Sequence, residues 1–374
     1  VVCGSTLAVL EFVMPEVKER DEAMIADVEA ALAKALAMRV NFSLGGAPSA
    51  LRVPAPRGAA AHQWALPRSE IVLAEPVTEG AGCVVFKARW RGMQVAAKAL
   101  SPSPHSEQAA HSEVSALSHL RHPNLVLFLG ACIDNQPWWI VSEFMEGGSL
   151  QRMLNAKRNA RTGRLWRPPS REAVRWAAGL ARGVAFLHTN RPAIIHRRLH
   201  PENLLLSAEG NLKIADFGLS TLGRSRDRDT PSERDGLRYM APEALAGEDH
   251  DDKVDVFSCG MILWLMCSGQ PPLQKFFSKH TAATTPDVSQ LLATRLRGGL
   301  RPNLGRVRME AVADLMSRMW SSDPADRPSA VEAVAELDVV QDSLSAEAAG
   351  AQVAAGRLRH RLRQCLPSMG GLRT

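Results

Sequence analysis

Three short stretches of the chain carry charged side chains of types that can handle phosphate. WRGMQVAAKAL (90–100) contains Lys98, and Glu113 follows fifteen residues later. IIHRRLHPENLLL (194–206) contains Arg198 and Asn203, and KIADFGLS (213–220) contains Asp216, thirteen residues after Asn203. An ammonium or guanidinium group can bind phosphate oxygens, and a carboxylate can hold the cation in place. A lone lysine and glutamate at this spacing would mean little, so the motifs around them decide the interpretation.

The order of these motifs resembles that of the protein kinase superfamily. After the Lys98 strand come the helix and strand HSEVSALSHLRHPNLVLFLGAC (111–132), the interlobe hinge WWIVSEFMEGGSL (138–150), the loop at 194–206, and KIADFGLS. YMAPEAL (239–245), DKVDVFSCGMILWLM (252–266) and WSSDPADRPS (320–329) follow in the expected order. LRHPNLVLFLGAC and WRGMQVAAK look most like the Raf-related, tyrosine-kinase-like branch of Ser/Thr kinases.

This resemblance implies an α+β, two-lobed protein-kinase fold, with a small β-rich N-terminal lobe and a larger helical C-terminal lobe. It also implies that ATP and Mg²⁺ bind between the lobes, Lys98 contacting the α/β-phosphates and Glu113 holding Lys98. Asn203 and Asp216 take the metal positions. The remaining nucleotide positions are the gatekeeper Ser142, hinge residues Glu143 and Met145, and Val77, Gly80, Val85, Ala96 and Leu205. Glu243 and Arg327 are expected to form a structural ion pair.

The sequence departs from the family pattern at the phosphoryl-transfer centre. Arg198 replaces the aspartate that accepts the substrate proton, and His200 replaces the lysine that contacts the γ-phosphate. Gly236, seven residues before Glu243, replaces the threonine that links that aspartate and lysine. The glycine-rich loop VTEGAGCVVF (77–86) is also eroded, because Thr78 and Cys83 stand where glycines occur and their Cβ atoms restrict the loop.

These departures predict a pseudokinase that binds Mg-ATP and serves as a signalling switch or scaffold for a protein partner. Losing a general base typically slows a reaction by about 10²–10⁴-fold, and a guanidinium in its place favours the ground-state phosphate. The alternative is a weakly active Ser/Thr kinase, in which His200 could act as a substitute base. A third hypothesis, nucleic-acid binding through the basic tail, predicts steep salt dependence, but no aromatic interleaving supports it.

Residues 69–340 form the predicted kinase domain, followed by an Ala/Arg-rich tail at 341–374 that is helical if ordered. Residues 43–68, rich in Gly, Ala and Pro, are predicted to be a flexible linker. The strand, acidic turn and helix at 1–42 resemble the C-terminal end of a GAF domain. A generic amphipathic packing helix is the alternative. Because the chain opens with Val-Val, it is expected to be a fragment of a longer protein.

Composition agrees with an ordinary globular protein, at 45% apolar and 22% charged residues. No apolar run is long enough to span a bilayer. The six cysteines form no C-x-x-C pair, which favours a reducing, cytoplasmic compartment over a disulfide framework or zinc site. The net charge is +6, and basic residues are densest at 157–167 and 356–363, which are interpreted as solvated faces.

Overall fold

The computed structural model describes residues 64–80, 83–100, 111, 114–115, 117–134, 137–157, 166–217, 231–280 and 285–365. For residues 78–80, 83, 231–233, 285–286 and 349–365 it describes the backbone alone. All of these residues belong to one of the chain's two units, residues 61–374.

The N-terminal lobe is built on a five-stranded antiparallel sheet with the strand order β1-β2-β3-β5-β4. The strands are β1 (Ile71–Gly80), β2 (Cys83–Trp90), β3 (Met93–Leu100), β4 (Phe128–Cys132) and β5 (Trp138–Glu143). Residues 111, 114, 115 and 117 are helical and precede β4.

The two faces of this sheet belong to separate hydrophobic clusters. Because successive side chains of a strand point to opposite faces, β5 contributes Trp138 and Ile140 to one cluster and Trp139 and Val141 to the other. The first cluster also contains Val114 and continues into the C-terminal lobe, whereas the second stays on the outer face. One apolar core therefore joins the sheet to the helices below it.

The C-terminal lobe contains the short strands β6 (Gly148–Ser149), β7 (Leu204–Leu206) and β8 (Leu212–Ile214), which pair antiparallel in that order. Its helices are α1 (Leu150–Ala156), α2 (Ser170–Thr189), α3 (Pro231–Gly236), α4 (Pro242–Ala246), α5 (Lys253–Ser268), α6 (Gln274–Lys279), α7 (Thr285–Arg297), α8 (Glu310–Met319) and α9 (Ala330–Cys365).

Helix α5 forms the centre of this lobe. It is apolar around its whole circumference, as expected of a helix with no solvent-facing side, and fourteen of its residues are buried. The helices α2 and α8 pack against it, and α2 also packs against α9 and β8. One carboxylate, Asp255, lies fully buried within this apolar helix.

The ion pair expected between Glu243 and Arg327 is confirmed. Arg327 Nη2 lies 3.0 Å from Glu243 Oε2, and Nη1 contacts the other carboxylate oxygen. Arg327 also donates to the carbonyls of Ser321 and Lys253. The Arg327 side chain is fully buried, and the pair therefore fixes the start of α4 against the segment that precedes α9.

The predicted two-lobed α+β kinase fold is confirmed. Two observations concern the predicted domain limits. Residues 64–66, near the end of the predicted linker, pair with Ala131 of β4, and Trp64 is buried. Helix α9 continues without a break past residue 340 to Cys365, into the predicted tail. The predicted GAF-like segment at 1–42 lies outside the described residues.

Candidate functional site

An ion pair across the two lobes marks the candidate site. Lys98, on β3, places its Nζ 2.7 Å from Oδ1 of Asp216, which follows β8. The two side chains are 18% and 38% exposed, so a solute can reach them. Burial alone would raise the pKa of Asp216, but the adjacent Lys98 charge and hydrogen bond outweigh it and lower that pKa below its ordinary value. The Asp216 carboxylate is therefore ionised at neutral pH.

The backbone places Asn203 beside this pair. Residues Pro201–Asn203 form a turn of 3-10 helix, and the Asn203 carbonyl accepts a 2.8 Å hydrogen bond from the N–H of Ala215, next to Asp216. The Asn203 Nδ2 donates to the Arg198 carbonyl at 2.9 Å, which fixes the side-chain amide. An amide oxygen and a carboxylate are hard donors of the kind that Mg²⁺ takes, so Asn203 and Asp216 fit the metal expected of this fold.

Asp255 holds the loop that carries Arg198 through hydrogen bonds to its backbone. The sequence interpretation missed this residue. Its carboxylate accepts hydrogen bonds from the backbone N–H of His196 at 2.7 Å and of Arg197 at 2.8 Å, while His188 Nε2 lies 2.9 Å away. These bonds support Arg197 in a left-handed conformation, with φ of 64°. The available signal was a single carboxylate in the first turn of a largely apolar helix.

His196 links this loop to the strand that leads to Asp216. Its Nε2 lies 2.9 Å from the carbonyl of Ala215, and its Nδ1 accepts from the N–H of Arg198 at 3.3 Å. These partners assign the proton to Nε2, since a carbonyl can only accept. Asp216 itself has a left-handed φ of 60°. Backbone strain of this kind is common at functional sites and persists because the surrounding contacts enforce it.

The three positions that depart from the kinase pattern lie on adjoining segments. Arg198 is exposed, and His200 is partly buried two residues later. Gly236 ends α3, and a Cβ atom there would lie 3.9 Å from Cδ2 of His200. Burial, together with the charge of Arg198, lowers the pKa of His200 to about 4. A neutral imidazole with that pKa is a weak proton acceptor at neutral pH.

Strand register shows how the predicted walls of the nucleotide site lie relative to Lys98. On β2, Val85 pairs with Lys98, and on β3, Ala96 pairs with Ser142 of β5. The backbone of Val77 lies in β1 at a register shift between Pro76 and Thr78, and Gly80 ends that strand. Leu205 lies in the opposite lobe on β7, between the buried Leu204 and Leu206.

The hinge is held by the side chain of Glu143, an interaction that the sequence interpretation did not foresee. The Glu143 carboxylate accepts a hydrogen bond from Lys213 Nζ at 2.6 Å and another from the N–H of Leu127 at 2.7 Å. The N–H of Glu143 donates to the carbonyl of Leu127 at 3.0 Å and is thereby engaged within the protein. Met145 is buried, and its carbonyl accepts from Gly148 at 3.1 Å. Glu143 therefore joins the hinge to the C-terminal lobe.

Several predicted positions lie outside the described residues. They are Glu113, the tip of the glycine-rich loop at 81–82, and most of the activation segment between Phe217 and Pro231. His111, two residues before Glu113, and Val114, one residue after it, are helical.

A sheet-based lobe and a helical lobe, with a lysine of the first paired with an aspartate of the second, form the two-lobed architecture of the class to which protein kinases belong. The comparison with known families agrees: the protein kinase domain matches residues 72–337. The chain belongs to the protein kinase family.

Its curated relatives are Ser/Thr kinases. The chain is 33% identical over 296 residues to serine/threonine-protein kinase VIK of Arabidopsis thaliana, covering 76% of this chain and 64% of that protein. It is 36% identical over 267 residues to human mitogen-activated protein kinase kinase kinase 7, covering 71% and 41%, which agrees with the predicted Raf-related branch. Serine/threonine-protein kinase 12 of Arabidopsis thaliana is 34% identical over 270 residues, covering 71% and 55%.

The chain thus spans less than two thirds of the length of each of these relatives. Among the described residues, no helix is long and apolar enough to cross a membrane.

Proposed function

We propose that this domain binds Mg-ATP between its lobes and acts as a pseudokinase, a signalling switch or scaffold for a protein partner in the cytoplasm. The proposal rests on a contrast at one site between the groups that fit nucleotide binding and the group at the position of the base. Lys98 and Asp216 form a 2.7 Å ion pair beside Asn203, whereas the exposed Arg198 occupies the position that the sequence pattern predicts for the catalytic base.

Nucleotide binding is supported by the groups that survive. Lys98 and Asp216 are both partly exposed, so phosphate oxygens can reach the ammonium and a metal can reach the carboxylate. Asn203 supplies an amide oxygen on a side chain already fixed by its bond to Arg198. Mg²⁺, when bound, neutralises phosphate charge, and the protein's part is to hold the donors in place.

Weak or absent phosphoryl transfer is supported by the electrostatics of the loop. Arg198 cannot accept a proton, because a guanidinium stays charged at all physiological pH values. His200, with its pKa lowered to about 4, accepts one only weakly at neutral pH. A guanidinium at this position also attracts the ground-state phosphate, and binding that does not increase in the transition state does not accelerate the reaction.

The competing function is a weakly active Ser/Thr kinase, which the names of the curated relatives favour. The deciding experiment measures transfer of radiolabelled γ-phosphate from ATP to a generic basic protein. Asp216→Ala serves as the blank, because that change removes a proposed metal position. Transfer by the parent chain at the level of the blank supports the pseudokinase. Transfer well above the blank establishes the kinase instead.

A further inference from the structure

Helix α9 carries one apolar stripe along its whole length. Its members recur at alternating intervals of four and three residues, which places them on one face of the helix and is the spacing that two packed helices share. They are Ala330, Val334, Leu337, Gln341, Leu344, Ala348, Ala351, Ala355, Leu358, Leu362 and Cys365. The pattern predicts that another helix packs along each part of this face.

The first half of the stripe packs against the domain. Leu337 is 1% exposed, and Leu344 packs against the main hydrophobic cluster. The principal neighbour is α2, whose Arg182 Nη2 lies 2.5 Å from Asp338 Oδ1 of α9. In this half the stripe is therefore a helix–helix interface.

Helix α9 is longer than the helix on which it packs. Helix α2 has 20 residues, and its more distant end lies twelve residues from Arg182. Helix α9 continues for twenty-seven residues past Asp338, to Cys365. At about 1.5 Å per residue, roughly 22 Å of α9, formed by residues 351–365, extends beyond the end of α2. The same stripe continues along this extension.

The space beside the extension suits a single helix. Helix α2 occupies the same face of α9 nearer the domain, so a flat surface such as a membrane would meet the domain before it could lie along residues 351–365. A second helix, with its axis about 8–10 Å from that of α9, fits in line with α2. The geometry therefore favours a helical occupant.

The extension is complementary to itself when two copies run antiparallel. In the register that places Ala355 of one copy opposite Leu358 of the other, Ala351 lies opposite Leu362, and the symmetry repeats both pairs. Each of the four layers then combines a small residue with a large one, as a filled helix interface requires. A parallel pair would instead place alanine against alanine and leucine against leucine.

The charges of the extension favour the same arrangement. Residues 357–363 include four arginines, whereas residues 349–356 include no charged residue. A parallel pair would bring the two arginine clusters side by side, and like charges at that distance repel. The antiparallel register lays each arginine cluster against the neutral residues of the other copy. A parallel partner would also have to pass through the space that α2 occupies.

We propose that residues 351–365 dock on the same residues of a second copy of the chain and form an antiparallel two-helix dimer with two-fold symmetry. The end of each α9 then takes the place that follows α2 in the other copy. The two kinase domains are held at opposite ends of the helix pair, so one dimer presents two copies of each partner-binding surface. Dimerisation is independent of the proposed nucleotide binding.

The first test measures the dimer dissociation constant of the full chain by sedimentation equilibrium at micromolar to sub-millimolar concentrations. The parent is expected to change from monomer to dimer in this range, because so short an interface is weak. Leu358→Gln removes two large residues from the four layers and should raise the dissociation constant at least about ten-fold. Val353→Gln is the matched control, since residue 353 lies on the opposite face of the same extension, and should leave the constant unchanged. A monomeric parent, an unchanged constant in Leu358→Gln, or equal losses in the two variants overturn the proposal.

Cysteine cross-linking tests the direction of the two helices, in a background that carries Cys365→Ser. Antiparallel pairing places residue 351 of one copy opposite residue 362 of the other. A mixture of the Ala351→Cys and Leu362→Cys variants should therefore form a disulfide between these two positions on mild oxidation, as assigned by peptide mapping. Neither variant alone should form a disulfide between two copies of the substituted position. Such a disulfide, or none between positions 351 and 362 in the mixture, overturns the antiparallel dimer.

Discussion

Gly236 lies beside His200, with 3.9 Å between the position of a Cβ atom at Gly236 and Cδ2 of His200. This separation is an ordinary van der Waals contact, and Gly236 has helical backbone angles, φ of −60° and ψ of −33°. A threonine can therefore be placed at 236 without backbone strain, directly against the side chain at 200. Two of the three departures from the kinase pattern are neighbours in space although they are 36 residues apart in sequence.

This proximity predicts that restoring the catalytic base alone is not enough. Arg198→Asp is expected to give little phosphate transfer, because the new aspartate lacks the lysine and threonine that act with it. The triple variant with Arg198→Asp, His200→Lys and Gly236→Thr is expected to give measurable transfer to a generic basic protein. Asp216→Ala in each background is the blank. Full recovery from Arg198→Asp alone would show that the three losses are independent.

Mg-ATP is expected to raise the melting temperature of the parent by about 2–5 °C at concentrations ten to a hundred times the Kd. Lys98→Ala and Asp216→Ala should each remove most of this shift, since each breaks the ion pair at the centre of the site. Lys279→Ala, an exposed lysine in α6, is the matched control and should keep the full shift. No shift of the parent at millimolar Mg-ATP contradicts the binding proposal.

The depressed pKa of His200 predicts a loss of stability in mild acid. Its pKa falls from 6.5 to about 4 on folding, so the unfolded chain binds the proton more readily. The contribution of His200 to the unfolding free energy is therefore fully present above pH 6.5. It decreases as the pH falls towards 4, by at most about 3 kcal/mol. Asp216, whose pKa is lowered, acts in a separate range, because its contribution is lost only below its ordinary value of 3.8.

His200→Gln should accordingly flatten the dependence of unfolding free energy on pH between 6.5 and 4. The measurement is urea denaturation at a series of pH values. His119→Gln, which removes an exposed imidazole, is the control for the loss of a histidine as such, and a change of slope specific to His200→Gln supports the prediction. An unchanged slope in His200→Gln would show that His200 titrates normally in the folded protein.

Glu243→Ala is expected to lower the unfolding free energy by about 3–5 kcal/mol, because it leaves the fully buried Arg327 without its carboxylate. Glu336→Ala removes the partner of Arg318 in a pair whose side chains are 41% and 40% exposed, and should cost less than about 1 kcal/mol. Chemical denaturation of both variants makes the comparison. Equal losses of unfolding free energy in the two variants would contradict the prediction that the buried ion pair is the costlier one to break.

The sequence alone determined the family and the fold, because both depend on the order and spacing of local motifs. The spacing of Asp216 and Asn203 predicts that Arg198 stands at the base position, and the YMAPEAL and DRPS motifs predicted the Glu243–Arg327 pair. Each departure from the family pattern is a replacement at a single motif position, and it can therefore be recognised in the sequence alone. Their meaning for phosphoryl transfer follows from the residue types, since an arginine cannot serve as a base.

The tertiary structure decided which groups share one environment. The pKa of His200 depends on burial and on the charge of Arg198, and neither can be calculated from the residue type. Asp255 holds the loop at His196 and Arg197 from 58 or more residues away, and Glu143 meets Lys213 across 70 residues. Trp64, in a segment whose composition predicts a linker, is buried because β4 leaves an edge open and Gly130 leaves space. Local composition describes what a segment prefers in isolation, whereas contacts between distant residues exist only after the chain has folded.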